Sequence, residues 1–200
     1  MNDAIFLSAS IPEAGRGEYF KTADRFLIQL AVREFLFASL GRRKIVWGGH
    51  PSITPMVLAA CKDLNVDISQ AVTLYQSTFF SGSYPKDNEN FSSIEYIEHT
   101  PNNLKESLLN MRTAMISRKD ISSAVFIGGM DGIFSEYDIF IKAHPNGIVL
   151  PIGGPGGAAR ELATKLGFCE SMVNELNFSK LFYEHLNIDF KSPRTTIIKQ

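Results

Sequence analysis

Cysteine is nearly absent from this chain, with only Cys61 and Cys169 among 200 residues. No CxxC pair or Cys/His cluster accompanies them, which removes a disulfide framework and a zinc site from consideration. Both fall in apolar, helix-like surroundings and are expected as core thiols; no metal and no cofactor is expected. Charge of one sign is missing too: 20 Lys and Arg stand against 21 Asp and Glu, a net charge of −1. Bulk electrostatics therefore give no reason to expect nucleic acid or an anionic membrane as partner. There is no basic region followed by a long apolar run at the N-terminus, and no uninterrupted apolar stretch near the roughly 18 residues of a membrane span. A cytoplasmic location is the expectation.

What the chain does have is enough apolar residues, 44%, to bury a full core, in a length that suits one domain. Short apolar runs alternate with helix-length amphipathic stretches, the pattern of an α/β protein with a buried parallel sheet and helices on both faces. Strands are expected at Ala4–Ser8, Lys44–Trp47, Ala71–Tyr75, Ala124–Ile127 and Gly147–Pro151. Helical periodicity predicts helices over Thr22–Ser39, Ile53–Leu64, Leu104–Arg118, Ile133–His144 and Ala158–Leu166, the last closed by Gly167, with a further amphipathic piece over Phe178–Leu186.

The polar stretch Thr78–Pro101 breaks this rhythm and is too long for an ordinary connection. It is expected to be either a mobile lid or an insertion that pairs subunits. Its aromatics Phe79, Phe80, Tyr84 and Phe91 either form an assembly surface or fold back onto their own domain. The domain is expected to span residues 1–190 and to carry this insert. Residues 191–200 form a tail, in which Thr195–Ile198 is a candidate edge strand.

Four loops follow strands, on the side where open α/β sheets place ligands. The first brings Ser8 and Ser10, small hydroxyl residues suited to phosphate or ribose or simply to a turn. The second, Gly48-Gly49-His50-Pro51-Ser52, leads into a helix, and paired glycines there let backbone amides approach an anion. Ser52 serves as helix N-cap or as ligand contact; His50 is a ligand candidate or a structural histidine. The third, Gly128-Gly129-Met130-Asp131-Gly132, has three glycines in five positions before a helix, a stronger phosphate-cradle signal. Glu136 lies one helical turn further on, facing back to the loop or acting as a first-turn acid that favours the helix dipole. The fourth, Gly153-Gly154-Pro155-Gly156-Gly157, repeats the strand, glycine turn and helix; its alternative reading is a tight turn with close helix packing. Gln76 and Ser77, just after the third strand, are candidates to address a base.

These residues resemble the SLOG superfamily, the Rossmann-like group that includes LOG-type phosphoribohydrolases, DprA-like proteins and sensor domains of bacterial antiphage systems. Gly128-Gly129 and Glu136 match the LOG glycine motif, and Arg112, sixteen residues before Gly128, stands where that family carries an arginine. Gly48-Gly49 resembles the family's earlier phosphate loop. Three departures stand out: Ile127 replaces a proline, Asp131 is an extra residue between glycines, and Ile133 occupies the place of a phosphate-binding threonine. The altered loop is nearer to the SLOG versions proposed to sense NAD-derived or cyclic nucleotide signals.

The resemblance implies binding of a nucleotide-type small molecule, with Arg112 as a cationic fork, Ser8 and Ser10 on the ribose side and Glu136 on ribose hydroxyls. It also implies a homodimer or higher oligomer and an effector encoded elsewhere. The other activity it implies is N-glycosidic hydrolysis of a nucleotide, with Glu136 as acid or base and Arg112 holding phosphate as the catalytic pair. A purely structural or interaction protein is the third class.

Overall fold

The computed structural model describes residues 3–195. Six strands, β1 (Ala4–Ser10), β2 (Lys44–Trp47), β3 (Val72–Ser77), β4 (Ile94–Ile97), β5 (Ile121–Gly128) and β6 (Ile148–Ile152), form one parallel sheet in the order β4-β3-β2-β1-β5-β6. The helices are α1 (Arg25–Ser39), α2 (Thr54–Asp63), α3 (Ile68–Ala71), α4 (Leu104–Ile116), α5 (Gly132–Ala143), α6 (Gly157–Lys165), α7 (Glu170–Val173) and α8 (Phe178–His185). A Rossmann-like α/β fold results, as the alternation of runs predicts. No helix among the described residues is long and apolar enough to cross a membrane.

The two-residue period of a strand sorts the central side chains between two cores. Ile5, Leu7 and Ala9 of β1 face one cluster with Val32, Phe35 and Leu36 of α1, Val57 of α2 and Phe182 of α8. Ala4 and Phe6 face the other, with Met115 of α4, Phe140 of α5 and Leu162 of α6. All seven residues of β1 are buried, and its apolar run is nearly continuous because a parallel strand covered on both sides has no wet face.

Local signals set the helix ends. Asp24 caps α1, its carboxylate accepting from Leu27 N at 3.0 Å, so the helix begins at Arg25 rather than Thr22; Tyr19–Lys21 instead makes a short 3-10 turn. Asn103 and Glu106 cap α4 reciprocally: Glu106 N donates to Asn103 Oδ1 at 3.0 Å and Asn103 Nδ2 to Glu106 Oε2 at 2.9 Å. Gly167 closes α6 as predicted, its N–H on Thr164 O and that of Phe168 on Ala163 O, the paired bonds of a Schellman end.

Two expectations need correction. The stretch after β3 is more than a loop: its Ile-Glu-Tyr-Ile segment adds β4 as an edge strand on β3, an alternation too brief to stand out within so polar a surround. Its aromatics mostly fold back, with Phe91 buried 6.3 Å from the Trp47 ring. Cys61 is buried, which pushes its thiol up to about 11, whereas Cys169 is exposed at the start of the four-residue α7 and is not a core thiol. Of the expected strand Thr195–Ile198, only Thr195 is among the described residues; its N–H donates to Gly41 O at 2.8 Å.

Phe182 is fully buried and its ring meets that of Phe35 edge-on at 5.4 Å. Phe182→Ala is expected to cost about 3–5 kcal/mol in chemical denaturation, against no more than about 0.5 kcal/mol for Phe26→Ala at a largely exposed position of α1. Equal losses would contradict this placement of the core.

Candidate functional site

From β1 the chain builds the sheet outward through β2, β3 and β4, then returns through α4 to place β5 on the other side of β1. Loops leaving β1 and β5 therefore diverge, opening a crevice at the carboxyl ends of the strands. A cavity of about 660 Å³ occupies it, a volume that holds a nucleotide-sized molecule.

Twelve of the residues expected from the sequence line this cavity: Ser8, Ser10, Gly48, Gly49, His50, Gln76, Ser77, Arg112, Met130, Asp131, Gly132 and Glu136. At its centre is one carboxylate. Glu136, in the second turn of α5, accepts from Ser8 Oγ at the end of β1 through Oε2 and from Arg112 Nε on α4, at 3.0 Å, through Oε1. The ion pair is mostly buried, with side-chain exposures of 22% and 15%, so each charge needs the other.

Fixed through Nε, the guanidinium keeps both Nη groups without a bond to any acceptor among the described residues. One lies over the start of α5: a Cβ built on Gly132 would sit 2.6 Å from Arg112 Nη2. The amides of Met130, Asp131 and Gly132 likewise donate to no acceptor among the described residues. A helix N-terminus and an anchored arginine thus present donors to one place, an arrangement suited to phosphate.

His50 is oriented by Ser52. The Ser52 amide, which can only donate, lies 3.3 Å from His50 Nδ1, and Ser52 Oγ lies 2.8 Å from the same nitrogen. Nδ1 is therefore an acceptor and the neutral ring carries its proton on Nε2. Burial, and then Arg16 nearby, lower the His50 pKa below its ordinary 6.5. Ser52 also accepts from Ile11 N at 3.2 Å, tying the loop after β1 to the loop after β2. It is not the helix cap: the cap position of α2 falls at Ile53, which makes no side-chain cap bond.

Five expected residues lie outside the cavity lining. Ser52 faces a smaller cavity beside Pro12 and Arg25. Gly128 and Gly129 serve the fold: Gly129 N donates to Ser10 O at 2.8 Å and Gly129 O accepts from Ala158 N at 3.2 Å. Gly153 and Gly154 are packed on the chain around α7, where added Cβ atoms would meet Val173 O at 2.6 Å and Glu175 O at 2.8 Å. The fourth glycine turn is thus a close-packing device, and the donors of the third come from its last three residues.

Composition and spacing give no sign of several other wall residues, Arg16, Met111 and Met115, and mark Phe80 and Tyr84 only as aromatics of a stretch that is either a lid or a pairing insertion. Arg16 enters from the loop after β1, Met111 and Met115 from α4, and Phe80 and Tyr84 from the stretch between β3 and β4. Tyr84 is held in place by its hydroxyl, which donates to Ser77 O at 2.9 Å. Asp131, the extra residue of the third loop, lies near Tyr19, whose phenol is pushed up to about 12 by burial, then by Glu161, then by Asp131.

Fold and site together define a Rossmann-like α/β protein with a polar cavity at its strand crossover. A model of the SLOG cluster3 family matches residues 18–186. The chain belongs to that family. A search of curated proteins returns no match.

Since His50 is kept neutral in the folded state, the unfolded chain takes up its proton at a higher pH than the folded one. Stability is expected to fall as pH drops from 7.5 through the ordinary 6.5, until folded His50 also protonates. Melting curves between pH 7.5 and about 5.5 should slope more steeply for the wild type than for His50→Gln. Parallel curves would contradict the assignment.

Proposed function

We propose that the chain binds a nucleotide-derived ligand in this cavity, with its phosphate at the start of α5 and its ribose between Ser8, Ser10 and Glu136. The observation that carries this reading is Arg112, held by Glu136 through Nε with Nη2 lying over the amides that open α5. His50 Nε2, a neutral donor, adds a contact from the opposite side of the cavity. Membership of a SLOG family supports nucleotide chemistry. The resemblance of the altered third loop to sensing members supports a signal-binding role in bacterial defence, in a homo-oligomer that acts on an effector encoded elsewhere.

A second reading, N-glycosidic hydrolysis, is supported by the same pair, since Glu136 and Arg112 supply a carboxylate and a phosphate-holding cation side by side. Each oxygen of Glu136 accepts one bond, from Ser8 and from Arg112, and keeps a further lone pair, which serves a ribose hydroxyl as well as it serves a base.

Thermal shift and calorimetric titration with AMP, ADP-ribose, NAD, cyclic ADP-ribose and cyclic dinucleotides test the proposal. A ligand at a hundred times its Kd is expected to stabilise the protein by about 2.7 kcal/mol. Arg112→Gln should weaken that ligand by about tenfold or more, through loss of charge-assisted bonds. No stabilisation by any of them at millimolar concentration would overturn the reading. Release of free base with a ribose phosphate, abolished in Glu136→Gln, would establish the hydrolase instead.

A further inference from the structure

The amide of Gln76, at the end of β3, is fixed in one orientation. Its Nε2 lies 2.8 Å from Gly48 O and 2.9 Å from Tyr75 O. Both partners are backbone carbonyls and can only accept, so the atom facing them must be the NH2 group, and its two protons are both used. The side chain is 6% exposed and lines the cavity. Its Oε1 accepts no hydrogen bond from any described residue. It is an acceptor that cannot become a donor by flipping, because the flip would set an oxygen against two carbonyl oxygens.

A Cβ on Gly48 would lie 3.7 Å from the terminal methyls of both Met111 and Met115, so the methionine ends border the loop that Gln76 bonds. Across the cavity, the Tyr84 ring is pinned to β3 at Ser77. Gly49 must lack a side chain here, since its Cβ would fall 2.4 Å from Gln76 Nε2. Gln76, Met111, Met115 and Tyr84 all line the one cavity, where an oriented acceptor, thioethers and an aromatic ring offer a heterocycle a slot.

We infer that this slot selects a base bearing an exocyclic amine, adenine or cytosine, over the corresponding oxo base, hypoxanthine or uracil. The inference rests on the nucleotide reading above and adds a specificity-determining residue to it. An amine on the ring donates to Gln76 Oε1. An oxo group at the same position sets two lone pairs against each other in a desolvated slot and leaves Oε1 unpaired, a mismatch that polar sites reject strongly.

The test is calorimetric titration of the wild-type protein with three amino/oxo pairs: AMP and IMP, CMP and UMP, and ADP-ribose and inosine diphosphate ribose. For any pair that binds, the amino member is expected to bind about tenfold more tightly or better. Gln76→Met, of similar length without the acceptor, should bring the two members to within about threefold by weakening the amino one. Should that variant fail to fold, the wild-type comparison decides alone. Equal or reversed affinities within a binding pair would overturn the role of Gln76 and leave the nucleotide reading standing. Absence of binding by all six would overturn this inference; absence of binding by NAD, cyclic ADP-ribose and the cyclic dinucleotides as well would overturn the nucleotide reading itself.

Discussion

One carboxylate holds the functional end of this molecule in register. Glu136 joins three elements that are far apart in the chain, accepting from Ser8 on β1 and Arg112 on α4 while itself riding on α5. As a contribution to stability the mostly buried ion pair is modest, because removing two charges from water offsets much of their attraction. As a constraint on geometry it is strict. It leaves the arginine without freedom to swing onto solvent, directs its Nη groups over the α5 N-terminus, and keeps the end of β1 close enough to wall the same space. The placement of the cavity's cationic side follows from that bond pattern.

The rest of the architecture brings these parts together. Because β5 lies on the opposite side of β1 from β2, the loops after β1, β2 and β5 surround a gap that no helix fills. The stretch between β3 and β4 closes one side of it with Phe80 and Tyr84, so a segment that extends the sheet also forms a wall. The cavity consequently has two characters. Arg112, Glu136, Ser8 and the α5 amides supply polar lining, Met111, Met115 and Tyr84 supply apolar and aromatic lining, and Gln76 adds an oriented acceptor. That combination matches a molecule with a charged tail and a flat ring.

Much of the fold was legible because a buried parallel strand cannot hide: the runs at β1, β2 and β5 are apolar on both faces, and Gly167 marks a helix end by its own chemistry, whereas helical periodicity ran the first helix back to Thr22, past the Asp24 cap. The edge strand β4 was not legible, since a half-exposed four-residue strand carries too little periodicity against a polar background. In the site, hydroxyls and glycines at strand ends directed attention to loops that line the cavity. They did not say which glycines face the ligand. A glycine needed for backbone packing, as at Gly128, Gly153 and Gly154, reads the same in sequence as one needed to clear space for a side chain, as at Gly49 and Gly132. The methionines of α4 were likewise invisible as wall residues, because an apolar residue on a helix reads as core until its partner surface is known. The switch of Ser52 from expected helix cap to strut for His50 depended on where α2 begins, a boundary that sequence patterns place only to within a residue or two.

The most direct measurement is a crystal structure of the protein with ADP-ribose bound. Phosphate oxygens within hydrogen-bond distance of Arg112 Nη and the Asp131 and Gly132 amides, with the Arg112–Glu136 bond kept, are the predicted result. A ligand seated away from the strand crossover, or a guanidinium detached from Glu136 with the phosphate held elsewhere, would contradict it.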